Sequence, residues 1–320
     1  HTKGGSRFIE GVAPSSFPLI IASLYAASKK SVLVVTRNPS SMHELVSDLS
    51  AFVDEAEIAP FPSWEMLPYE FVSPAEAIER DRITTLFKLA AGERCIAVCT
   101  TESLLRAVPE KHFLKKKEIR LSAGDEIPFD DIVASLAEYG YSREHRVEGY
   151  GQFAVKGGII DIYLPSHENP VRLDFFGDTI ESIREFDAES QTSIGPVTEV
   201  RICPRKELIL SKKETQELIA KLAALTQRET ELPEKLRDII DRADTDPVVD
   251  TFIPGIEELF PLVMGSAHLS SYLSEGTTVI VTEYPEVMAE KESIIGIYSE
   301  LYGRKKGYSL CLEPEKLLKL

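Results

Sequence analysis

The residues 11–18, Gly-Val-Ala-Pro-Ser-Ser-Phe-Pro, lie where a phosphate-binding loop would lie, between a first strand expected from about Phe8 and an apolar helical pattern over residues 17–27. A P-loop reads G-x-x-x-x-G-K-[ST]: glycine amides cradle phosphate, lysine reaches the β- and γ-phosphates, and the hydroxyl meets magnesium. After Gly11, Ser16 stands for the second glycine, Phe17 for the lysine and Pro18 for the hydroxyl residue. The charge that would hold a nucleotide is missing, and Phe17 suits core packing better. A Walker B strand would end in Asp to hold magnesium. Residues 279–283, Val-Ile-Val-Thr-Glu, put Thr282 at that position and leave only Glu283. Both halves of a nucleotide-hydrolysing site are degenerate, so no catalytic residue and no cofactor are expected.

Other reactive constellations fail in the same way. The histidines (His1, His43, His112, His145, His167, His268) form no H-x-x-x-H pair, and no G-x-S-x-G elbow occurs. Cys95 and Cys99 are close, but no second pair completes a zinc site. Their spacing within CIAVC puts both on one face of a strand, as core residues in a reducing compartment. The acidic pairs Asp130-Asp131 and Glu257-Glu258 read as solvated surface.

What remains is the dense β pattern of residues 149–187, with turns at Gly157-Gly158, residues 166–170 and Gly177-Asp178. Within Val171–Phe176 the side chains alternate. Val171, Leu173 and Phe175 face a core, whereas Arg172, Asp174 and Phe176 face outward. Arginine beside an exposed aromatic is the composition of an interaction hot spot. The same pattern also fits an amphipathic strand whose Phe176 is covered by a neighbouring helix.

The elements around this stretch are legible in outline. Residues 31–36 (SVLVVT), 95–100 and 277–282 (TTVIVT) are short, continuous apolar runs of the kind buried in parallel sheets. They alternate with helical patterns at 17–27, 41–49 and from a capping box at Ser73-Pro74-Ala75-Glu76 to about Ala91. Thr101 is expected to cap a short helix, and a strand is expected near 57–59. A helix over 129–139 opens an α+β unit running to about Cys203. Helices are then expected over 211–226, 233–243 and 285–302, and a last strand at 308–312. The fold class is α/β, a parallel-sheet domain interrupted by an inserted α+β domain.

Composition narrows the partners. In 320 residues, 36 Lys and Arg against 52 Asp and Glu give a net charge of −16, which repels a phosphate backbone unless basic residues cluster. The tight basic runs, 115–117 and 304–306, are short, so autonomous DNA binding is disfavoured. No apolar run nears the length of a membrane span and no signal peptide is visible, so a cytoplasmic location is expected. Residues 1–6, HTKGGS, read as a tag or linker remnant.

The ordered segments FPSWEMLPYE, SPAEAIERDR, GQFAVKGGIIDIYLP and PVRLDFFGDTIESIREFDAESQTS closely resemble the N-terminal region of the bacterial transcription-repair coupling factor family, Mfd. The excision-repair helicase UvrB is similar but carries an intact P-loop. The resemblance covers essentially the whole chain after residue 6. It implies a degenerate P-loop, RecA/helicase-like scaffold divided as domain 1a (7–114), an inserted domain 2 (115–203) and domain 1b (204–320). It further implies that domain 2 docks the damage-recognition protein UvrA. The two basic residues and the phenylalanine of that surface fall on Lys156, Arg172 and Phe176. Lys156 replaces the usual arginine, which keeps the charge but loses the planar fork.

By the same resemblance, a C-terminal domain of the full-length protein masks this surface, and domains beyond Leu320 engage RNA polymerase and DNA as an ATP-dependent translocase. The chain then reads as an excised, non-catalytic recruitment module. Its rivals are a regulatory or autoinhibitory module of the missing motor and a damaged-DNA-binding helicase fragment.

Overall fold

Apolar on both faces, Val32–Thr36 (β1) is buried along its whole length in the computed structural model, as a strand inside a parallel sheet should be. The structure describes residues 7–70, 72–208, 210, 213–214, 216–218, 220–221, 256–262, 265–306 and 311–319. Helix α1 (Phe17–Ser28) precedes β1, and α2 (Pro39–Leu49), β2 (Ile58–Phe61), α3 (Glu76–Ala91), β3 (Ile96–Thr100) and α4 (Thr101–Leu105) follow in alternation. After β4 (Val108–Pro109) and α5 (Lys111–Lys116), the chain turns β-rich with β5 (Ile119–Ser122) and α6 (Phe129–Glu138). It continues through β6 (Ser142–Arg143), β7 (Gln152–Lys156), β8 (Ile159–Ile162), β9 (Val171–Phe176), β10 (Thr179–Phe186), β11 (Ser193–Pro196) and β12 (Glu199–Ile202). Towards the end come β13 (Ser266–Ala267), β14 (Thr278–Val281), α7 (Tyr284–Lys305) and α8 (Pro314–Leu317).

The four-stranded sheet has the order β14-β1-β3-β2, every pair parallel. β14 therefore joins β1, Val279 opposite Leu33, although the whole β-rich unit lies between them in sequence. One face of this sheet packs Val34, Ile96 and Val98 against Ile21, Tyr25 and Met42. The other packs Leu33, Val35 and Cys99 against Ile83, Leu86 and Val287. The second sheet is six-stranded, β11-β10-β9-β8-β7-β6, and its inner face meets Ile132 and Leu136 of α6 in a separate core. β5 and β12 pair antiparallel, closing the entry and exit of this unit on one another.

Several local expectations need correction. No strand forms at Phe8. Residues 7–10 are irregular and Phe8 and Ile9 are 76% and 72% exposed, because the parallel sheet begins at β1 and offers them no partner. Ser73 does not open a capping box. α3 starts at Glu76 with Ala75 as an N-cap that makes no side-chain bond, and the Ser73 hydroxyl donates instead to Glu257 at 2.9 Å. Thr100, not Thr101, caps α4, in a reciprocal capping box with Ser103. The acidic pair Glu257-Glu258 is buried rather than solvated, for reasons given below. The helix expected over 233–243, most of that over 211–226 and most of the strand expected at 308–312 fall outside the described residues. No described helix is long and apolar enough to cross a membrane.

Candidate protein-binding interface

β9 follows the alternation of its sequence. Val171, Leu173 and Phe175 are buried, while Arg172 and Asp174 are partly exposed and Phe176 is exposed. Antiparallel register then sets their neighbours, since residues directly opposite share a face. Arg172 lies opposite Asp161 of β8 on one side and Arg184 of β10 on the other. The next row runs Lys156, Ile159, Asp174 and Ser182 across four strands. Phe176 stands one row further, opposite Thr179. Lys156, Arg172 and Phe176 thus share the outer face of the six-stranded sheet.

Phe176 is 75% exposed, so no helix covers it. It is placed by two adjoining hairpin tips. Phe175 donates its amide to the Gly158 carbonyl at 2.8 Å. A Cβ on Gly158 would stand 2.7 Å from the Phe175 carbonyl oxygen, so the approach requires glycine. Lys156 is exposed and makes no ion pair among the described residues.

Arg172 is outward, as its position in the strand requires, but its guanidinium is already engaged. Nε donates to Asp161 Oδ1 at 2.6 Å and Nη2 to Oδ2 at 2.8 Å. These bonds to Asp161 raise the guanidinium's affinity for its proton. Its plane lies 4.5 Å from the centre of the Phe186 ring. Arg184 is neutralised likewise by Asp174 at 2.8 Å, which also accepts from Ser182 at 2.6 Å.

Residues 11–18, compared above with a phosphate-binding loop, are not part of this face. Gly11 has φ +74° and Ser16 makes no side-chain cap, and both are exposed. Phe17 packs against the core and Pro18 is buried in the first turn of α1. At the opposite position, the Thr282 hydroxyl donates to the Val35 carbonyl at 3.1 Å. Thr36 donates to Cys99 and Thr101 to Thr36 in the same manner. The carboxyl end of a parallel sheet is where such folds bind ligands. Here its hydroxyls are committed to neighbouring carbonyls. Glu283 follows in a left-handed conformation, φ 47°, as the N-cap of α7. Cys95 and Cys99 are core residues, as their spacing indicated, and burial pushes their thiols up to about 11 and about 12.

A second set of contacts has no counterpart in local sequence pattern. Leaving the inserted unit, the consecutive residues Arg205, Lys206 and Glu207 pair in order with Glu76, Glu79 and Arg82 of α3. Spacing of three puts those partners along one face of the helix. Lys206 Nζ lies 2.9 Å from Glu79 Oε1, and Arg82 holds Glu207 through Nε and, at 3.1 Å, Nη2. Burial pushes the Glu79 carboxyl up to about 7 against the pull of Lys206. The indole of Trp64 donates to Glu207 at 3.4 Å, with the Arg106 guanidinium 3.6 Å from its ring. Glu258 lies 3.7 Å from Arg106 and accepts the Tyr69 amide at 2.8 Å, while Glu257 accepts from Ser73. This is why the acidic pair is buried. The signal was present as the charge order Glu-Glu-Arg at 76, 79 and 82 against Arg-Lys-Glu at 205–207.

Residues 119–208 match the family described as the UvrB interaction domain, a span that opens at β5 and closes just past this ion-paired segment. The chain is 32% identical over 300 residues to a transcription-repair-coupling factor of Mycobacterium bovis, covering 89% of this chain and 23% of the relative. It is 34% identical over 230 residues to that of Myxococcus xanthus, covering 69% and 19%, and 28% identical over 216 residues to that of Bacillus subtilis, covering 68% and 18%. The chain spans only about a fifth of the length of the curated relatives it matches. With residues 119–208 matching the UvrB interaction domain and most of the chain aligning with transcription-repair-coupling factors, the chain is homologous to those factors and consistent with an N-terminal region of that family.

Proposed function

We propose that this chain is a non-catalytic recruitment module that binds UvrA through the outer face of its six-stranded sheet, bringing nucleotide excision repair to stalled RNA polymerase. The observation that carries the reading is Phe176, a large aromatic left 75% exposed on the same sheet face as Lys156 and Arg172. Burying such a ring in a partner's pocket supplies the apolar core of a hot spot, and the flanking cations give orientation. The matched UvrB interaction domain contains all of these residues. The scaffold supports a passive role, since Phe17, Pro18 and Thr282 occupy the positions nucleotide hydrolysis would need and are committed to packing or backbone bonds. On this reading domain 1a (7–114) and domain 1b (204–320) form the scaffold and domain 2 (115–203) the docking unit. A C-terminal domain of the longer protein would mask the same face, and polymerase and DNA would be engaged elsewhere.

Titration calorimetry of the chain against purified UvrA tests this. Saturable binding, weakened by roughly thirtyfold or more in Phe176→Ala while circular dichroism is unchanged, is the expected result. A folded parent that takes up no UvrA would overturn it.

A further inference from the structure

We propose that Asp161 is a positioning residue of the docking face, and that Arg172 reads a carboxylate of the partner through its Nη1 edge while staying bonded to Asp161. This rests on the docking reading above and deepens it by naming the chemistry at Arg172.

A guanidinium carries five N–H donors in a planar fork, with a side edge (Nε and one Nη) and an end edge (both Nη groups). Asp161 takes the side edge, through Nε and Nη2. Nη1 makes no hydrogen bond among the described residues, and the side chain is still 21% exposed, so the end edge is the part that meets solvent. The Asp161 side chain is only 5% exposed, and both of its oxygens point at Arg172. Swinging Arg172 out to a partner would strand a buried carboxylate, a larger loss than a new ion pair at the surface would offset. Phe186 beneath the guanidinium further fixes its plane. The side chain is therefore held in the orientation needed for binding, and little rotamer freedom is lost when a carboxylate docks.

The register also limits the partner's geometry. Lys156 is level with Asp174, two strands away from β9 and two residues along from Arg172. With strands about 4.8 Å apart and a rise of about 3.4 Å per residue, the two cations are anchored about 12 Å apart. Phe176 stands four residues beyond Arg172 on the same strand, about 14 Å away, so the complementary surface carries acidic groups and an apolar pocket at the corners of a triangle. Arg184 is no third reader, because Asp174 neutralises it within the face.

The test is calorimetric titration of UvrA with the parent, Asp161→Asn and Arg172→Lys, alongside the Arg Nε–H signals in a ¹H–¹⁵N spectrum of the chain, free and bound. Lysine keeps the charge but has no second edge. Each variant should weaken binding by about tenfold or more with its circular dichroism unchanged, as expected for a lost charge-assisted bidentate contact. The Arg172 Nε–H should exchange slowly in the free parent, rapidly in Asp161→Asn, and stay protected in the complex. Parental affinity in Asp161→Asn, or loss of Nε–H protection when UvrA binds, would overturn this inference while leaving the docking reading intact. Absence of any binding by the folded parent would overturn both.

Discussion

Asp161 and Arg172 face each other across β8 and β9, joined by bonds of 2.6 and 2.8 Å, with the carboxylate buried and the guanidinium at the surface. The pair makes Arg172→Ala an ambiguous probe of binding. Removing the guanidinium leaves a buried acceptor unpaired, and the expected cost is about 1–3 kcal/mol of stability. The double variant Asp161→Ala/Arg172→Ala should recover most of that loss. Urea denaturation of the parent, both single variants and the double reads the coupling directly, and additive losses would contradict a direct pair.

Phe176→Ala is the cleaner probe. The ring is 75% exposed and its removal leaves no cavity, so stability should change by no more than about 0.5 kcal/mol. If the ring anchors a partner, affinity should fall by about 2 kcal/mol or more, roughly thirtyfold. Thermal denaturation and calorimetry on the same preparations separate the two effects.

Glu207→Ala should act in the opposite way, on stability and not on the docking face. It leaves Arg82, wholly buried, without its carboxylate, and breaking a buried pair from one side costs about 3–5 kcal/mol. Trp64 is the chain's sole tryptophan and donates to Glu207, so its fluorescence reports this junction without labelling. Emission should shift in Glu207→Ala at denaturant concentrations where the parent is still native. An unchanged unfolding midpoint would show that the ion-paired segment does not fasten the inserted unit to α3.

The pH dependence follows from Glu79. Its carboxyl ordinarily titrates near 4.5 and is pushed up to about 7 by burial, with Lys206 opposing. Between those values the folded chain holds a proton that the unfolded chain has released. The stability Glu79 contributes is therefore fully present below its ordinary value and is lost as pH rises towards about 7. Stability measured as parent minus Glu79→Gln should fall from about pH 5 to about pH 7. A difference that stays flat across that window would contradict the raised value.

Local pattern carried much of this in the sequence. The apolar runs at 31–36 and 277–282 became neighbouring strands, and alternation alone oriented Arg172, Asp174 and Phe176. What it could not carry was partnership across the fold. Asp161 sits in an apolar run, IIDI, and its pairing with Arg172 depends on a register that only the folded hairpins define. Glu257 and Glu258 look like ordinary surface acids until Ser73, Arg106 and Tyr69 are brought to them, two of the three by the long loop after β2. Phe8 failed for the converse reason, since its local pattern is strand-like but no strand among the described residues lies beside it.

If the outer face of the six-stranded sheet is where UvrA docks, hydrogen–deuterium exchange of the chain with and without UvrA shows it most directly. Protection should appear at the hairpin tips 156–159 and 176–179, with β1 and β3 of the parallel sheet unchanged. Protection confined to the parallel-sheet unit, with both tips exchanging as in the free chain, would contradict the account.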